Sequence, residues 1–146
     1  MNLDNSAELG GELIFITTDE PPTRVPYGKY EVSYRSHSTQ KFFSSTKLYI
    51  NFTICDSGEY FGAKLYRAYN LHEGLPSGSD LYKDLVLLYG KKVAKKTRLP
   101  ISLFKNKILL VTVRTVKSNR KQKPLPEHQM YSVIDSILKV AAGIGS

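Results

Sequence analysis

The chain has 146 residues, which is enough for one domain with its own hydrophobic core. Hydrophobic residues make up 41% of it, and this fraction excludes an intrinsically disordered protein. Lysine and arginine number 21 against 13 acidic residues, so the net charge is +8 and the isoelectric point about 9.5. Such a charge favours nucleic acid, an anionic membrane surface or an acidic protein as partner.

Cysteine usage and hydropathy indicate the compartment. Cys55 is the single cysteine, so no disulfide can form within the chain and a reducing compartment is expected. The first residues lack a basic segment followed by an apolar one, and no stretch approaches the roughly 20 apolar residues of a membrane span. We therefore expect a cytoplasmic protein without membrane insertion.

The first 26 residues are predicted to form a flexible extension. Glu20–Pro26 contains three prolines, which is typical of an extended linker. Before it, Glu12–Thr18 is a short apolar run of β-forming residues, suited to an edge strand or to pairing with a second copy in a homo-oligomer. The domain itself is predicted over residues 27–140, and a tail of small residues over 141–146.

Gly28–His37 alternates between apolar and polar residues, which predicts the first strand. A polar loop, Ser36–Ser45, is predicted next, and it carries Lys41, Phe42 and Phe43. Successive side chains of an extended backbone point to opposite sides, so the adjacent phenylalanines cannot both face the interior. We expect one to cover the core and the other to be available to a partner.

Thr46–Asn70 is predicted to be a β-hairpin with a tight turn at Asp56–Gly58. The apolar face of its first arm consists of Leu48, Ile50, Phe52 and Ile54. The second arm places Phe61, Leu65, Arg67 and Tyr69 on one face, and Lys64, Tyr66 and Asn70 on the other. A one-residue bulge would exchange these faces, so the register of the third strand stays open.

A helix is predicted after this hairpin. Ser79 and Asp80 offer an N-cap, and Gly90 is suited to the C′ position. Between them, three leucines with i, i+4, i+7 spacing form a stripe along one face of the helix: Leu81, Leu85 and Leu88.

Two further strands are predicted at Ile108–Val116 and Met130–Val140, and the later half of the second is equally compatible with a helix. Between them, Lys117–Gln129 is a long basic loop that contains two prolines. The element order is therefore β-β-β-α-β-β, with one helix between strands 3 and 4. This order predicts a mainly β protein with the OB-fold, a five-stranded Greek-key barrel.

Three blocks carry a resemblance to a known family: KLYINFTICDSGEYFGAKLYRAYN, SDLYKDLVLLYG and VRTVKSNRKQKPLPEHQMYSVI. Over Gly28 to Val140 the chain resembles OB-fold proteins that bind single-stranded nucleic acids. It is also similar to small uncharacterised OB-type proteins of plasmids, phages and conjugative elements.

In such proteins the ligand crosses strands 2 and 3 between the 1–2 and 4–5 loops, stacking bases on aromatic rings and pairing phosphates with cations. The resemblance therefore implies these contact residues: Lys41, Phe42, Phe43, Tyr49, Asn51, Lys64, Tyr66, Arg67, Tyr69, Lys117, Arg120, Lys121 and Lys123. Of these, Arg67 and Tyr69 would face the ligand only in the opposite register of strand 3. Each tyrosine has an alternative explanation as ordinary strand packing.

The function expected from this resemblance is largely sequence-independent binding of single-stranded DNA, accessory to replication, conjugation or recombination of a mobile element. Alternatives on the same fold are an RNA-binding protein and a protein-interaction module, such as a host-factor inhibitor or a subunit of a transfer complex. An enzyme is not expected, because His37, His72 and His128 lie in separate predicted loops without metal-ligand spacing. No cofactor and no metal are expected.

Overall fold

The computed structural model describes residues 23–71, 78–93 and 98–143. Its strands are β1 (Gly28–Lys41), β2 (Thr46–Ile54), β3 (Lys64–Leu71), β4 (Lys107–Val116) and β5 (Tyr131–Gly143). Helix α1 (Asp80–Tyr89) lies between β3 and β4, and two short 3₁₀ turns occupy Ile101–Phe104 and Glu127–Gln129. The strands form one antiparallel sheet in the order β3-β2-β1-β4-β5. The predicted mainly β fold and the position of the helix are confirmed.

The two edges of the sheet, β3 and β5, come close to each other. They are linked by the side chain of Arg67, whose Nη1 donates to the carbonyl oxygen of Asp135 at 2.6 Å. Within the described ranges no backbone ladder joins these edges. The sheet is therefore not closed into the barrel that the element order predicts.

The core lies between the sheet and α1. All four apolar residues predicted to share a face of β2 are buried, as are the alternate residues Leu109, Val111 and Val113 of β4. Phe104, from the first 3₁₀ turn, is fully buried and meets the ring of Phe52 edge-on at 6.1 Å. The period-2 alternation in the sequence therefore identified the inward face correctly.

Helix α1 forms where its caps and leucine stripe predict it. The Ser79 hydroxyl accepts a hydrogen bond from the Tyr82 amide at 3.2 Å, as an N-cap does. Gly90 ends the helix with φ of 75°, a left-handed conformation that glycine adopts without steric cost. The stripe itself is buried and consists of Leu81, Leu85 and Leu88.

The prediction of a loop over Ser36–Ser45 was wrong for residues 36–41 and holds for residues 42–45, which connect β1 to β2. β1 continues to Lys41, because Ser38 pairs with Tyr49 and Lys41 with Thr46 of β2. A register shift between Tyr34 and Ser36 marks a β-bulge, after which the pairing continues. The connection is consequently short, and Phe42 N donates to Ser45 O across it at 2.7 Å.

The tight turn predicted at Asp56–Gly58 was also wrong. β2 ends at Ile54 and β3 begins at Lys64, so a longer connection joins them. Phe61 lies in this connection with 67% of its surface exposed, and not on the inner face of β3. Asp56 uses its Oδ1 to accept from the backbone N–H of Glu31 at 2.6 Å, which ties the connection to β1.

Residues at both ends of the predicted domain join the fold. Val25, which the sequence assigned to the extension, is buried in the core, and its N–H donates to Ser132 Oγ at 2.9 Å. β5 is a strand throughout, so the helical alternative for its later half was wrong, and it continues to Gly143. The predicted strand at Glu12–Thr18 lies outside the described residues.

Candidate nucleic-acid interface

The register between β2 and β3 decides which tyrosines face outward. Asn51 pairs with Tyr66 and Phe52 pairs with Leu65, and the ladder runs from Thr46 to Thr53 without a bulge. Because Phe52 is buried, its partner Leu65 faces inward, and Tyr66 lies on the opposite side beside Asn51. We call the side of β2 and β3 that carries Tyr49, Asn51 and Tyr66 the outer face.

Three half-buried rings meet on this outer face and form what we call the tyrosine cluster: Tyr49, Tyr66 and Tyr131. The rings of Tyr49 and Tyr66 are 5.6 Å apart and nearly perpendicular. Those of Tyr66 and Tyr131 are 6.4 Å apart and inclined by only 28°. A tyrosine phenol is neutral near pH 7, and burial raises the pKa of Tyr66 and of Tyr49 further, so neither ring repels an anion.

Sequence reasoning did not include Tyr131 among the site residues. The available signal was its position directly after the basic loop, at the start of the last predicted strand. Its backbone pairs with Val116 at the end of β4, which fixes the ring next to Tyr66.

A cleft of about 800 Å³ lies between β3 and the start of β5, beside the tyrosine cluster. Tyr66 and Tyr131 contribute to its lining. The cations that line it come from four positions in β2, β3, β4 and the β4–β5 loop: Lys47, Arg67, Arg114 and Arg120. Two carboxylates, Asp80 and Asp135, also line it. Arg67 is paired with the buried Asp84 and Arg114 with Asp135, so Lys47 and Arg120 are the lining cations best placed to meet an anionic ligand.

The β1–β2 and β4–β5 connections meet beside the cleft. The guanidinium carbon of Arg120 lies 5.0 Å from the centroid of the Phe42 ring, within cation–π range. Phe42 is half-buried, whereas Phe43 is fully exposed. Phe42 packs against Arg120 and is not among the residues packed on the core, so the expectation that one phenylalanine covers the core was wrong, and Phe43 is the exposed one.

The basic β4–β5 loop has an ordered tip. The Asn119 side-chain oxygen accepts from the backbone N–H groups of Lys121 and Lys123, at 2.8 and 3.0 Å. A backbone hydrogen bond from Leu125 N to Lys117 O, at 2.8 Å, closes the base of the loop. Lys41 and Lys64 are exposed. The four predicted cations of the loop are exposed as well: Lys117, Arg120, Lys121 and Lys123.

Arg67 and Tyr69 do not belong to the outer face. Tyr69 is only 2% exposed, and its hydroxyl donates to Asp84 Oδ2 at 2.5 Å. Arg67 donates from Nε to the same oxygen at 2.7 Å, with its side chain 12% exposed. The alternative register for these two residues was therefore wrong, since a buried ring cannot stack on a base.

Asp84 is the residue of this buried network that sequence reasoning missed. It lies on α1 within the leucine stripe, three residues after Leu81 and one before Leu85. A carboxylate at a core position requires a buried partner, so its place in the stripe was the signal that Arg67 or another cation would face inward.

Two side chains with possible metal or nucleophile chemistry, His37 and Cys55, do not line the cleft. In the part of the chain that the structure describes, no group of three or more His, Cys, Asp or Glu side chains could hold a metal ion. His37 Nδ1 is hydrogen-bonded to the Tyr34 hydroxyl at 2.8 Å. Burial raises the pKa of the Cys55 thiol, so it is not an activated nucleophile. No helix among the described residues is long and apolar enough to cross a membrane.

Comparison with known proteins adds no family. No family model matches the chain, and no curated protein matches it. The function is therefore argued from the chemistry of the site, which combines adjacent aromatic rings with flanking cations.

Proposed function

We propose that the protein binds single-stranded DNA, largely without sequence preference, across the outer face of β2 and β3. The observation that carries this proposal is the tyrosine cluster beside a cleft lined by four cations. Stacking of a base on an aromatic side chain contributes about 1–3 kcal/mol and accepts any base, while cations neutralise the phosphates.

The arrangement of strands supports the OB-fold as part of this proposal. The sheet order β3-β2-β1-β4-β5, with α1 between β3 and β4, is the order that an OB barrel would have if β3 and β5 closed it. In that fold oligonucleotides lie across strands 2 and 3 and between the 1–2 and 4–5 loops. The outer face and the Phe42–Arg120 contact between the two connections support this mode of binding.

Single strands are favoured over duplex for a geometric reason. Stacking on a protein ring requires a base whose face is free, and in a duplex both faces are covered by neighbouring base pairs. The sequence resemblance adds the biological setting to our proposal, an accessory role in replication, conjugation or recombination of a mobile element.

The experiment that tests this function is fluorescence anisotropy with a labelled oligothymidine at several salt concentrations. We expect Tyr49→Ala to weaken binding about tenfold, because one stacking platform is lost. The matched control is Tyr27→Ala, since Tyr27 is 80% exposed and does not belong to the tyrosine cluster. Thermal midpoints of both variants show whether either change acts through folding.

The absence of binding at low salt, or binding that is indifferent to salt, would contradict the proposal. A tighter complex with oligouridine than with oligothymidine would assign the same surface to RNA. Capture of a protein partner that persists after nuclease treatment would favour the interaction-module alternative, because a nucleic-acid bridge is lost on digestion.

A further inference from the structure

Asp135 places a carboxylate among the cations of the cleft. Its Oδ1 accepts from Arg114 Nε at 2.9 Å, and both side chains are about half exposed, 50% and 54%. A carboxylate repels a phosphate oxygen, so the DNA backbone is not expected to pass over this point. A group that brings hydrogen-bond donors is better suited to it.

The position of Asp135 is fixed by the buried network beneath it. Arg67 Nη1 donates to the Asp135 carbonyl oxygen at 2.6 Å, and Arg67 Nε is held by Asp84 at 2.7 Å. This connects α1, β3 and β5 directly under the cleft. The backbone of Asp135 is held in this way, and its side chain is held by Arg114, so the pair is partly ordered before a ligand binds, which favours selective recognition.

The ion pair retains hydrogen-bonding capacity. Arg114 has further N–H donors on its two Nη groups, and a carboxylate accepts more than one hydrogen bond. The pair therefore presents donors and acceptors side by side, next to the rings of Tyr66 and Tyr131 that line the same cleft. A base that stacks on Tyr131 would therefore lie in the cleft that the pair also lines.

We propose that Arg114 and Asp135 recognise a guanine base of the bound strand. This inference rests on the proposed function and adds one selective position to a strand otherwise bound by stacking. Guanine has two adjacent N–H donors, on N1 and N2, beside the acceptor O6. The carboxylate of Asp135 would accept from the two donors, and the guanidinium of Arg114 would donate to O6.

The other bases match this pair less well. Adenine and cytosine have one amino donor beside a ring nitrogen that accepts, and that nitrogen would oppose the carboxylate. Thymine has a single N–H between two carbonyl groups. Only guanine offers a carboxylate two neighbouring donors and a guanidinium an adjoining carbonyl.

The test compares oligothymidines of about twelve nucleotides, a length within the range of site sizes of OB domains. The central residue is guanine, adenine, cytosine, thymine or hypoxanthine, and hypoxanthine is guanine without its 2-amino group. We expect guanine to bind about tenfold more tightly than adenine, cytosine or thymine, and hypoxanthine to lose part of this preference.

Asp135→Asn removes the carboxylate while it keeps the size of the side chain. We expect the preference for guanine to fall below about twofold, and salt-dependent binding of plain oligothymidine shows that the variant still holds a single strand. The matched control is Asp80→Asn, because Asp80 is the other acid that lines the cleft and its carboxylate makes no ion pair with Arg114. This control variant should keep the preference.

Equal binding of all central bases, or a preference for another base, would overturn the guanine assignment. So would a guanine preference that survives in Asp135→Asn. In each of these cases salt-dependent binding of oligothymidine would leave the proposed function standing. Failure to bind any of the oligonucleotides would overturn both.

Discussion

At the scale of single residues, Arg67, Tyr69 and Asp84 form a buried network that places two charged side chains in the core. The side chains of Arg67 and Asp84 are 12% and 10% exposed, and Asp84 Oδ2 accepts from both Arg67 Nε and the Tyr69 hydroxyl. Burial alone would lower the pKa of Arg67. The charges and hydrogen bonds of Tyr69 and Asp84 outweigh this effect, so the pKa of Arg67 is raised. The network requires every member, because an unpaired buried charge is costly.

We therefore expect Asp84→Ala to lower the free energy of unfolding by about 3–5 kcal/mol, since Arg67 and Tyr69 both lose their acceptor. Urea denaturation followed by far-UV circular dichroism measures this change. Lys83→Ala, an exposed neighbour on the same helix, is the control and should change stability by less than about 0.5 kcal/mol. Equal effects of the two substitutions would show that the network does not stabilise the fold.

Residue patterns predicted the inner face well and the site only in part. Alternation on β2 predicted its buried residues, and it also placed Tyr49 and Asn51 outside. The face of Tyr66 depended on the register of β3, which is set by a cross-strand ladder and not by local sequence. Tyr131 follows the basic loop directly, but its contact with Tyr66 depends on distant strands meeting, which local sequence does not show.

At the scale of elements, β1 shows how pairing overrides composition. Residues 36–41 are polar and exposed, and their composition predicts a loop. They form a strand because β2 supplies hydrogen-bonding partners for them. The longer strand brings Phe42 to the end of the sheet, where Arg120 covers it. The helix was easier to predict, since its N-cap, leucine stripe and terminal glycine are all local signals.

The β4–β5 loop offers a test of the electrostatic part of the proposed function. Lys121 and Lys123 project from a tip that Asn119 organises, so both can approach a phosphate backbone. The double variant Lys121→Ala/Lys123→Ala should flatten the plot of log Kd against log salt by about 0.7 for each phosphate contact that it removes.

The matched control for this test is again Lys83→Ala, which removes a positive charge from the exposed side of α1. We expect its salt slope to equal that of the unmodified protein. A loop variant with an unchanged slope would mean that the tip does not contact the strand, and that the cleft cations alone bind phosphate.

At the scale of the whole molecule, one core connects the strands β1 to β5, α1 and the first 3₁₀ turn. It extends from Val25, ahead of β1, through β2, β3, α1 and β4 to Ile137 in β5. The sheet edges β3 and β5 are joined by a side chain instead of a ladder, so closure of the molecule depends on packing and on the Arg67 contact. Unfolding is therefore expected to be one cooperative transition.

Val25 tests whether the segment before β1 belongs to this cooperative unit. Its side chain is 5% exposed, and its backbone exchanges hydrogen bonds with the Ser132 hydroxyl at 2.9 and 3.1 Å. Val25→Ala removes two buried methyl groups and leaves a small cavity, so we expect a loss of about 2 kcal/mol in the free energy of unfolding. Tyrosine fluorescence and far-UV circular dichroism should report the same shifted urea midpoint. Tyr27→Ala, at a position 80% exposed, should leave that midpoint nearly unchanged, and an equally small shift for Val25→Ala would place residues 23–26 outside the cooperative core.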